Sequence, residues 1–236
     1  MFKNGLWKHD VSPRVWQTKA ISLWEKNMRG IVKVATGGGK TVFALGCINS
    51  FILKVKNPKV LIVVPTISLQ DQWIISLTED FNLQEKDIES KKFDNSTDTV
   101  FHVLVINTAR NLEIKTPKEC LLVVDECHRA ASEANSHIFK NKFFGTLGLS
   151  ATPERQFDNK FEEVLVPHLG GVFFEYGIKE ALADKVLSPF SITNVKIPLT
   201  EDEYKKYQKE TKKIAQSMSQ EDNDELVKML LMQRAR

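Results

Sequence analysis

The sequence predicts an α/β domain with a doubly wound, mostly parallel sheet and helices on both of its faces. Short runs of apolar, often β-branched residues lack polar alternation, which is typical of strands buried on both faces. Stretches with helical spacing of apolar residues separate these runs, and this alternation favours right-handed β-α-β crossovers. Parallel sheets of this kind bind ligands at the carboxyl ends of their strands. The residues that follow each predicted strand are therefore the candidates for a functional site.

The strands are predicted from short, mostly apolar runs, and one of them is weaker because Gly145 and Gly148 interrupt it. In chain order, the predicted strands are residues 31–34, 59–64, 100–106, 121–124 and the weaker 143–149. Helices are predicted from residue 41 to about residue 53 and over residues 68–77.

The character of the chain changes near residue 187. Residues 190–199 predict an extended connector, and Thr200 with Glu203 forms a capping-box pattern at the start of a charged helix over 201–217. A second charged helix is predicted over 222–236. We expect two regions, 1–187 and 188–236.

Composition excludes several classes of protein. No apolar run of about 18 residues exists, so no membrane span is predicted. The three cysteines are scattered and form no CxxC pair, which disfavours both a disulfide framework and a zinc site and fits a reducing compartment. Residues 1–60 carry 11 Lys and Arg against 2 Asp and Glu. That bias suits phosphate groups, but a solvated basic face explains it equally well.

A glycine-rich turn, ATGGGKT at residues 35–41, lies between the first predicted strand and its helix. Glycines let backbone N–H groups point towards a polyphosphate, and the helix start adds its positive dipole end. In this interpretation Lys40 contacts the β- and γ-phosphates of ATP, and the Thr41 hydroxyl holds Mg²⁺. The general P-loop pattern has glycine six residues before the lysine, where this chain has Val34. The alternative to a phosphate-binding loop is an ordinary glycine-rich turn. The predicted nucleotide-binding residues of this turn are Thr36, Gly37, Gly38, Gly39, Lys40 and Thr41.

A second motif, DECH at residues 125–128, directly follows the predicted strand 121–124. A carboxylate at the tip of a buried strand suits Mg²⁺, so Asp125 is the predicted metal partner and Glu126 the group that orients or deprotonates water. One alternative is a helix start with acidic residues that favour the dipole. Another is a zinc site at His128, which lacks a clear set of further ligands.

Together with SATP at residues 150–153, these motifs resemble motifs I, II and III of superfamily 2 helicases. The resemblance covers roughly residues 11–200 and is nearest to the DECH/DEAH-type ATPases of phage, DNA-repair and restriction motors, including the Res subunit of type III restriction enzymes. It implies a RecA-like P-loop NTPase domain over 1–187 that hydrolyses ATP, with Lys40, Asp125, Glu126 and His128 in catalysis. Residues 188–236 would lead to a second RecA-like domain.

The same resemblance assigns further residues to the nucleotide site. Gln17 matches the glutamine that reads the adenine edge, with Arg14 as its support; a surface glutamine is the alternative. Ser150 and Thr152 match the motif that couples the nucleotide state to nucleic-acid contact. An ordinary strand-to-loop turn would also explain these two hydroxyls.

Two further segments resemble motifs that contact the nucleic-acid backbone. Pro65, Thr66 and Ser68 lie where a predicted strand becomes a helix, and hydroxyls with free N–H groups suit a phosphate there. Thr108 and Arg110 follow the next predicted strand. A plain helix cap at Thr66 and a surface arginine at 110 are the alternatives.

The tryptophans allow a base-stacking role, but packing is the favoured interpretation. Trp16 and Trp24 are eight residues apart and therefore share a helical face. The four residues concerned are Trp7, Trp16, Trp24 and Trp73.

The sequence contains no Gln-x-x-Gly-Arg-x-x-Arg pattern, which in the family supplies finger arginines from the second domain. We therefore expect this chain to bind ATP·Mg²⁺, and DNA weakly, but to hydrolyse ATP poorly. By resemblance DNA is favoured over RNA, and the expected location is the cytoplasm near the nucleoid. An RNA helicase domain and a nucleotide-binding regulatory module without motor activity remain open alternatives. The SATP and DECH motifs disfavour a P-loop kinase or a transporter ATPase.

Overall fold

A computed structural model describes residue 6 and residues 12–81, 83–94, 97–114, 119–154 and 158–218 of the chain. The chain divides into two compact units, Met1–Pro189 and Phe190–Arg236.

The first unit is built on a sheet of seven described strands in the order β3-β4-β2-β5-β6-β1-β7. Every neighbouring pair is parallel. The prediction of a mostly parallel sheet is therefore confirmed. The strands are β1 Ile31–Val34, β2 Lys59–Val64, β3 Ile88–Glu89, β4 Phe101–Val105, β5 Cys120–Asp125, β6 Gly145–Ser150 and β7 Val172–Tyr176.

Helices connect the strands in the expected alternation. The α-helices of this unit are α1 Val15–Trp24, α2 Lys40–Lys54, α3 Ile67–Asp80, α4 Ile106–Ala109, α5 Val166–Leu169 and α6 Ile178–Ala183. Short 3₁₀ segments cover Glu85–Asp87, Cys127–Ala131 and Asn135–Lys140, and a π-helical turn covers Phe161–Leu165.

The core lies on both faces of the sheet because successive strand side chains point to opposite sides. In β2, Val60 and Ile62 pack into the cluster that also contains buried residues of α1, α2 and α3. Leu61 and Val63 pack into the other cluster, with residues of α4 and of the segments between β5 and β6. Helical segments on both faces explain why the strands lack polar alternation.

The strand predictions differ from the structure mainly at their ends. β1 and β2 have the predicted bounds. The predicted strand 143–149 begins two residues later, at Gly145, where pairing with Leu121 of β5 starts. β7 was not predicted; this edge strand has two exposed residues, so it lacks the continuous buried pattern of the others.

Three of the four tryptophans pack in the core, as predicted. Trp16, Trp24 and Trp73 expose 5%, 1% and 2% of their surface. Trp16 and Trp24 both belong to the buried face of α1. Trp7 lies outside the described residues.

In the second unit, the described part contains α7, Glu201–Met218. The Thr200 backbone N–H donates to Glu203 Oε2 at 2.8 Å, and the Glu203 backbone N–H lies 3.4 Å from Thr200 Oγ1. This geometry confirms the predicted capping box. Residues 190–199 contain neither helix nor strand, and the predicted helix 222–236 falls outside the described residues. Among the described helices, none has the length and apolarity that a membrane crossing requires.

Candidate nucleotide-binding site

The glycine-rich turn lies at the carboxyl end of β1 and opens directly into α2. Gly39 has a φ of 95°, a conformation that glycine adopts without steric cost. At Gly38 a Cβ atom would lie 2.7 Å from Val34 Cγ1 and 2.9 Å from the Ala35 carbonyl oxygen. These two positions therefore require glycine for the backbone path of the turn. The path places the first turn of a 15-residue helix at the candidate phosphate position.

Gln17 and Arg14 lie beside this turn. Gln17 is 2% exposed, and its Nε2 donates to the Gly39 carbonyl oxygen at 2.9 Å. Its Oε1 accepts from the Arg14 backbone N–H at 2.6 Å. The structure thus places Gln17 as a brace between the start of α1 and the glycine-rich turn. Its predicted role in reading adenine stays a prediction.

Lys40 and Glu126 meet across the site although 86 residues separate them in the chain. Lys40 Nζ lies 2.9 Å from Glu126 Oε1, with side-chain exposures of 14% and 30%. The side chains of Lys40, at the start of α2, and Glu126, directly after β5, therefore lie in the same site. The two strongest sequence motifs converge on one site, at the carboxyl ends of the strands.

Asp125 ends β5 and is 9% exposed. Its Oδ2 accepts from the Trp73 indole Nε1 at 2.9 Å, and its Oδ1 accepts from the Glu126 backbone N–H at 2.9 Å. Burial raises the pKa of Asp125, and the Trp73 hydrogen bond and the Lys40 charge oppose this effect. A nearby cation would further favour the carboxylate form.

Glu126 has an unusual backbone conformation for a residue with a side chain. Its φ of 47° and ψ of 52° lie in the left-handed region. Such a conformation costs on the order of 1–3 kcal/mol and tends to occur at functional sites. It turns the chain sharply after β5, so that the Glu126 carboxylate reaches Lys40.

Thr41 and Asp125 line one cavity of about 310 Å³, together with Trp73 and other residues of α3. A hydroxyl and a carboxylate are the hard oxygen ligands that Mg²⁺ prefers. Within the described part of the chain, no group of three or more His, Cys, Asp or Glu residues is arranged to hold a metal. Few protein ligands are expected for Mg²⁺, which usually binds through one or two carboxylates plus substrate phosphates. Thr41 and Asp125 therefore fit Mg²⁺ bound with a nucleotide.

His128 and Ser150 connect the DECH loop to the end of β6. His128 Nδ1 lies 3.1 Å from Ser150 Oγ and 3.5 Å from Glu126 Oε2. The Thr152 backbone N–H donates to Ser150 Oγ at 3.1 Å. Ser150 thus bonds to both loops, whereas Thr152 contributes here through its backbone. A change at Glu126 can reach the loop after β6 through this network, and the coupling role of both residues stays a prediction.

The predicted nucleic-acid residues follow two neighbouring strands. β2 and β4 are paired in parallel with Val64 opposite Val105, so the segments after them lie side by side. Thr66 caps α3, since its side chain accepts from the Leu69 backbone N–H at 3.3 Å. Thr66 and Ser68 are exposed, while the other three residues are partly exposed: Pro65, Thr108 and Arg110. Their contact with nucleic acid stays a prediction.

Two residues of α3 with contacts at the site were not predicted. Trp73 donates to the Asp125 carboxylate, as described above. The Gln70 side chain donates to the backbone carbonyls of Ser90 at 2.8 Å and Val103 at 2.6 Å. A tryptophan on a helical apolar face carries no sequence signal for its N–H partner. Only the packing of α3 against β4 and the end of β5 reveals these contacts.

The zinc alternative for the DECH loop finds no support in the described residues. Cys127 is fully buried, and burial strongly raises the pKa of its thiol. In the described ranges Cys127 belongs to no group of three or more His, Cys, Asp or Glu residues that could hold a metal ion. Cys47 and Cys120 are also buried free thiols.

The chain is similar to several known proteins. The family described as "Type III restriction enzyme, res subunit" matches residues 10–155. The DNA 3'-5' translocase XPB2 of Sulfurisphaera tokodaii is 34% identical over 221 residues, which is 90% of this chain and 46% of the translocase. The putative ATP-dependent RNA helicase QP509L of African swine fever virus (strain Badajoz 1971 Vero-adapted) is 35% identical over 152 residues, or 57% of this chain and 27% of the helicase.

Among solved structures, the Hef helicase domain of Pyrococcus furiosus superposes with a TM-score of 0.65 at 21% identity. The match covers 91% of this chain and 48% of that one. It confirms the RecA-like fold. The chain spans less than half the length of each of these relatives.

Proposed function

Because the chain belongs to the family of the type III restriction enzyme res subunit and is a superfamily 2 helicase-type motor domain, we propose that it is the ATP-binding half of a DNA-dependent translocase or helicase. The observation that carries the proposal is the convergence of Lys40 and Glu126 at 2.9 Å. It joins the phosphate-binding turn to the water-activating motif at one place.

ATP use is implied by the family, and the site suggests how the chain would hold the nucleotide. The backbone N–H groups at the start of α2 and the Lys40 ammonium would bind the β- and γ-phosphates. Thr41 and Asp125 would hold Mg²⁺, which when bound neutralises charge on the phosphate oxygens. Glu126, whose carboxylate lies 2.9 Å from Lys40 Nζ, would orient the attacking water and accept its proton. The network from Glu126 through His128 to Ser150 would report the nucleotide state to the loop after β6.

A second RecA-like domain would complete hydrolysis. Finger arginines in P-loop NTPases contribute about 10³–10⁵ in rate, and the sequence lacks the pattern that supplies them in the family. In this proposal, residues 188–236 lead to that domain, and the chain alone turns over ATP slowly.

DNA is the proposed nucleic acid. The relative named a DNA translocase aligns with 90% of this chain, whereas the relative named an RNA helicase aligns with 57% of it. The exposed hydroxyls of Thr66 and Ser68 at the start of α3, with Thr108 and Arg110 after β4, would bind backbone phosphates. RNA is the second candidate, and the viral relative is the observation in its favour.

Competition binding tests both the substrate and the surface. A fluorescent DNA duplex bound to the chain is displaced with unlabelled DNA or RNA duplexes of equal length at one salt concentration, because salt alone changes affinity strongly. We expect DNA to compete more strongly. Stronger competition by RNA would reverse the assignment, and no binding to either duplex would favour a regulatory nucleotide-binding module.

The Thr66→Asp variant tests whether DNA contacts the start of α3, because it keeps a capping side chain at residue 66. Aspartate caps a helix about as well as threonine, but its charge would repel a phosphate. The matched control is Thr78→Asp, which adds the same charge near the other end of α3. We expect Thr66→Asp to weaken DNA binding and Thr78→Asp to leave it near the wild-type value. Equal effects of the two substitutions would contradict a phosphate contact at Thr66.

A further inference from the structure

The Asp125 carboxylate is held by two hydrogen bonds of different origin. One comes from the backbone N–H of its neighbour Glu126 and the other from the Trp73 side chain, 52 residues away in the chain. A carboxylate has about four lone-pair sites, so each oxygen keeps a site for a metal or for water. Two donors on two oxygens fix the rotation of the carboxylate plane, which a single donor does not.

Trp73 is built into the site and is not a surface contact. It is 2% exposed, and it lines the same cavity as Thr41 and Asp125. Trp24, by contrast, donates its indole N–H to the Thr146 carbonyl oxygen at 3.0 Å and is 1% exposed. Among the described residues, Trp73 and Trp24 are therefore similarly buried and each donates one indole hydrogen bond, but Trp73 donates to the proposed metal carboxylate and Trp24 to a backbone carbonyl.

The helix that carries Trp73 also begins at the proposed DNA surface. Thr66 caps α3, and Trp73 follows seven residues later, about 10 Å along the helix axis. Gln70 lies between them and donates to the Val103 carbonyl oxygen in the middle of β4. α3 thus bonds to β4 through Gln70 and to the end of β5 through Trp73, so one helix connects the proposed DNA surface to Asp125.

We propose that Trp73 is a positioning residue: it orients the Asp125 carboxylate for Mg²⁺, and through it α3 links DNA contact to the metal site. This inference rests on the proposed function, in which Asp125 holds the metal. Among the described contacts, the side-chain hydrogen bond to Asp125 Oδ2 comes from the Trp73 indole. Loss of that indole N–H would therefore remove this hydrogen bond.

Manganese binding tests the inference without any turnover. Binding of Mn²⁺ to the full chain with a non-hydrolysable ATP analogue is measured by electron paramagnetic resonance, with and without a DNA duplex. The variants are Trp73→Phe, the matched control Trp24→Phe, and Asp125→Asn. Each phenylalanine keeps an aromatic ring and removes one buried N–H donor.

We expect Trp73→Phe to weaken Mn²⁺ binding about tenfold or more, which is typical for loss of a partner that orients a metal ligand. Trp24→Phe should keep the wild-type affinity even if both variants lose similar thermal stability. The effect of DNA on Mn²⁺ affinity should disappear in Trp73→Phe and persist in Trp24→Phe.

Two results would overturn the inference in different ways. If Asp125→Asn weakens Mn²⁺ binding but Trp73→Phe behaves like Trp24→Phe, the positioning role is wrong and the proposed metal site stands. If Asp125→Asn binds Mn²⁺ like the wild type, the proposed metal site itself is wrong, and the role of Trp73 falls with it.

A second measurement covers the case in which Trp73→Phe does not fold. In wild-type chain labelled with ¹⁵N-tryptophan, the indole N–H signal of Trp73 should shift when Mg²⁺ is added to the nucleotide complex, while that of Trp24 stays in place. The Trp7→Phe, Trp16→Phe and Trp24→Phe variants identify the other three signals, so that of Trp73 is assigned by elimination. An unmoved Trp73 signal would contradict the inference.

Discussion

At the residue scale, the site depends on a few charged side chains that come from distant parts of the sequence. Lys40 and Glu126 form an ion pair at 2.9 Å, and Asp125 lies beside them at 9% exposure. Charged groups that share a partly buried site interact more strongly than surface pairs do. Because Lys40 is proposed to bind phosphate and Glu126 to activate water, substitutions at these two residues should separate nucleotide binding from hydrolysis.

Lys40→Ala should abolish measurable ATP binding or weaken it by about 10-fold to 100-fold, because hydrogen bonds to charged groups contribute about 1.5–3 kcal/mol. Fluorescent-nucleotide titration measures this effect. The control is Lys54→Ala at the other end of α2, where Lys54 is 44% exposed and pairs with Glu25. Retention of full affinity by Lys40→Ala would contradict the phosphate role of the glycine-rich turn.

Glu126→Gln should bind ATP with near wild-type affinity but lose whatever turnover the chain has, since a positioned general base contributes about 10²–10⁴ in rate. Glu133→Gln, an exposed change in the following segment, is the control. Single-turnover hydrolysis measures the step directly. Unchanged turnover in Glu126→Gln would remove Glu126 from the proposed chemistry.

At the element scale, β4 and the loop before it depend on a buried histidine. The His102 ring nitrogens lie 3.3 Å and 3.2 Å from the carbonyl oxygens of Lys92 and Thr99, and the ring packs on Phe93. Burial lowers the pKa of His102 below its ordinary value of 6.5, although both carbonyls oppose the shift. The folded chain therefore favours the neutral ring, whereas the unfolded chain protonates near the ordinary value.

This lowered pKa predicts the sign of a pH effect on stability. The contribution of His102 is fully present above its ordinary pKa and is lost as the pH falls through that value towards the lower folded-state pKa. The loss of unfolding free energy between about pH 7.5 and pH 5.5 should be smaller in His102→Gln than in the wild type. Denaturant unfolding at the two pH values measures the difference. His137→Gln at an exposed site is the control, and an unchanged pH dependence in His102→Gln would contradict the prediction.

The sequence was sufficient to predict the elements that bear the motifs. β1 and β2 are mostly apolar runs, each with one lysine, and their predicted bounds agree with the structure. β3 has two residues and β7 is partly exposed, and neither leaves a periodic signal. The Trp73 contact with Asp125 depends on how α3 packs over the end of β5. Local patterns contain no information about such pairs, which are 52 residues apart.

At the scale of the whole molecule, the net charge of +3 is too small for strong nonspecific attraction to DNA. Binding should instead depend on a local set of phosphate contacts at the carboxyl ends of β2 and β4. Arg29 just precedes β1, at the amino end of that strand, and its side chain donates to the His168 carbonyl oxygen at 2.6 Å. It therefore offers a charge-matched control for Arg110.

Arg110→Ala should weaken DNA binding and reduce the slope of log affinity against log salt by about 1, as expected for the loss of one phosphate contact. Arg29→Ala should leave the slope unchanged. Fluorescence anisotropy over a series of salt concentrations measures both. Equal slopes for Arg110→Ala and the wild type would remove Arg110 from the DNA surface.

The central claim is that the chain is the ATP-binding half of a DNA-dependent motor, and steady-state ATP hydrolysis with and without double-stranded DNA tests it most directly. The account predicts that the chain binds ATP with Mg²⁺ but turns it over slowly in both conditions, and that Glu126→Gln abolishes any residual turnover. Rapid hydrolysis without DNA that persists in Glu126→Gln would contradict the account.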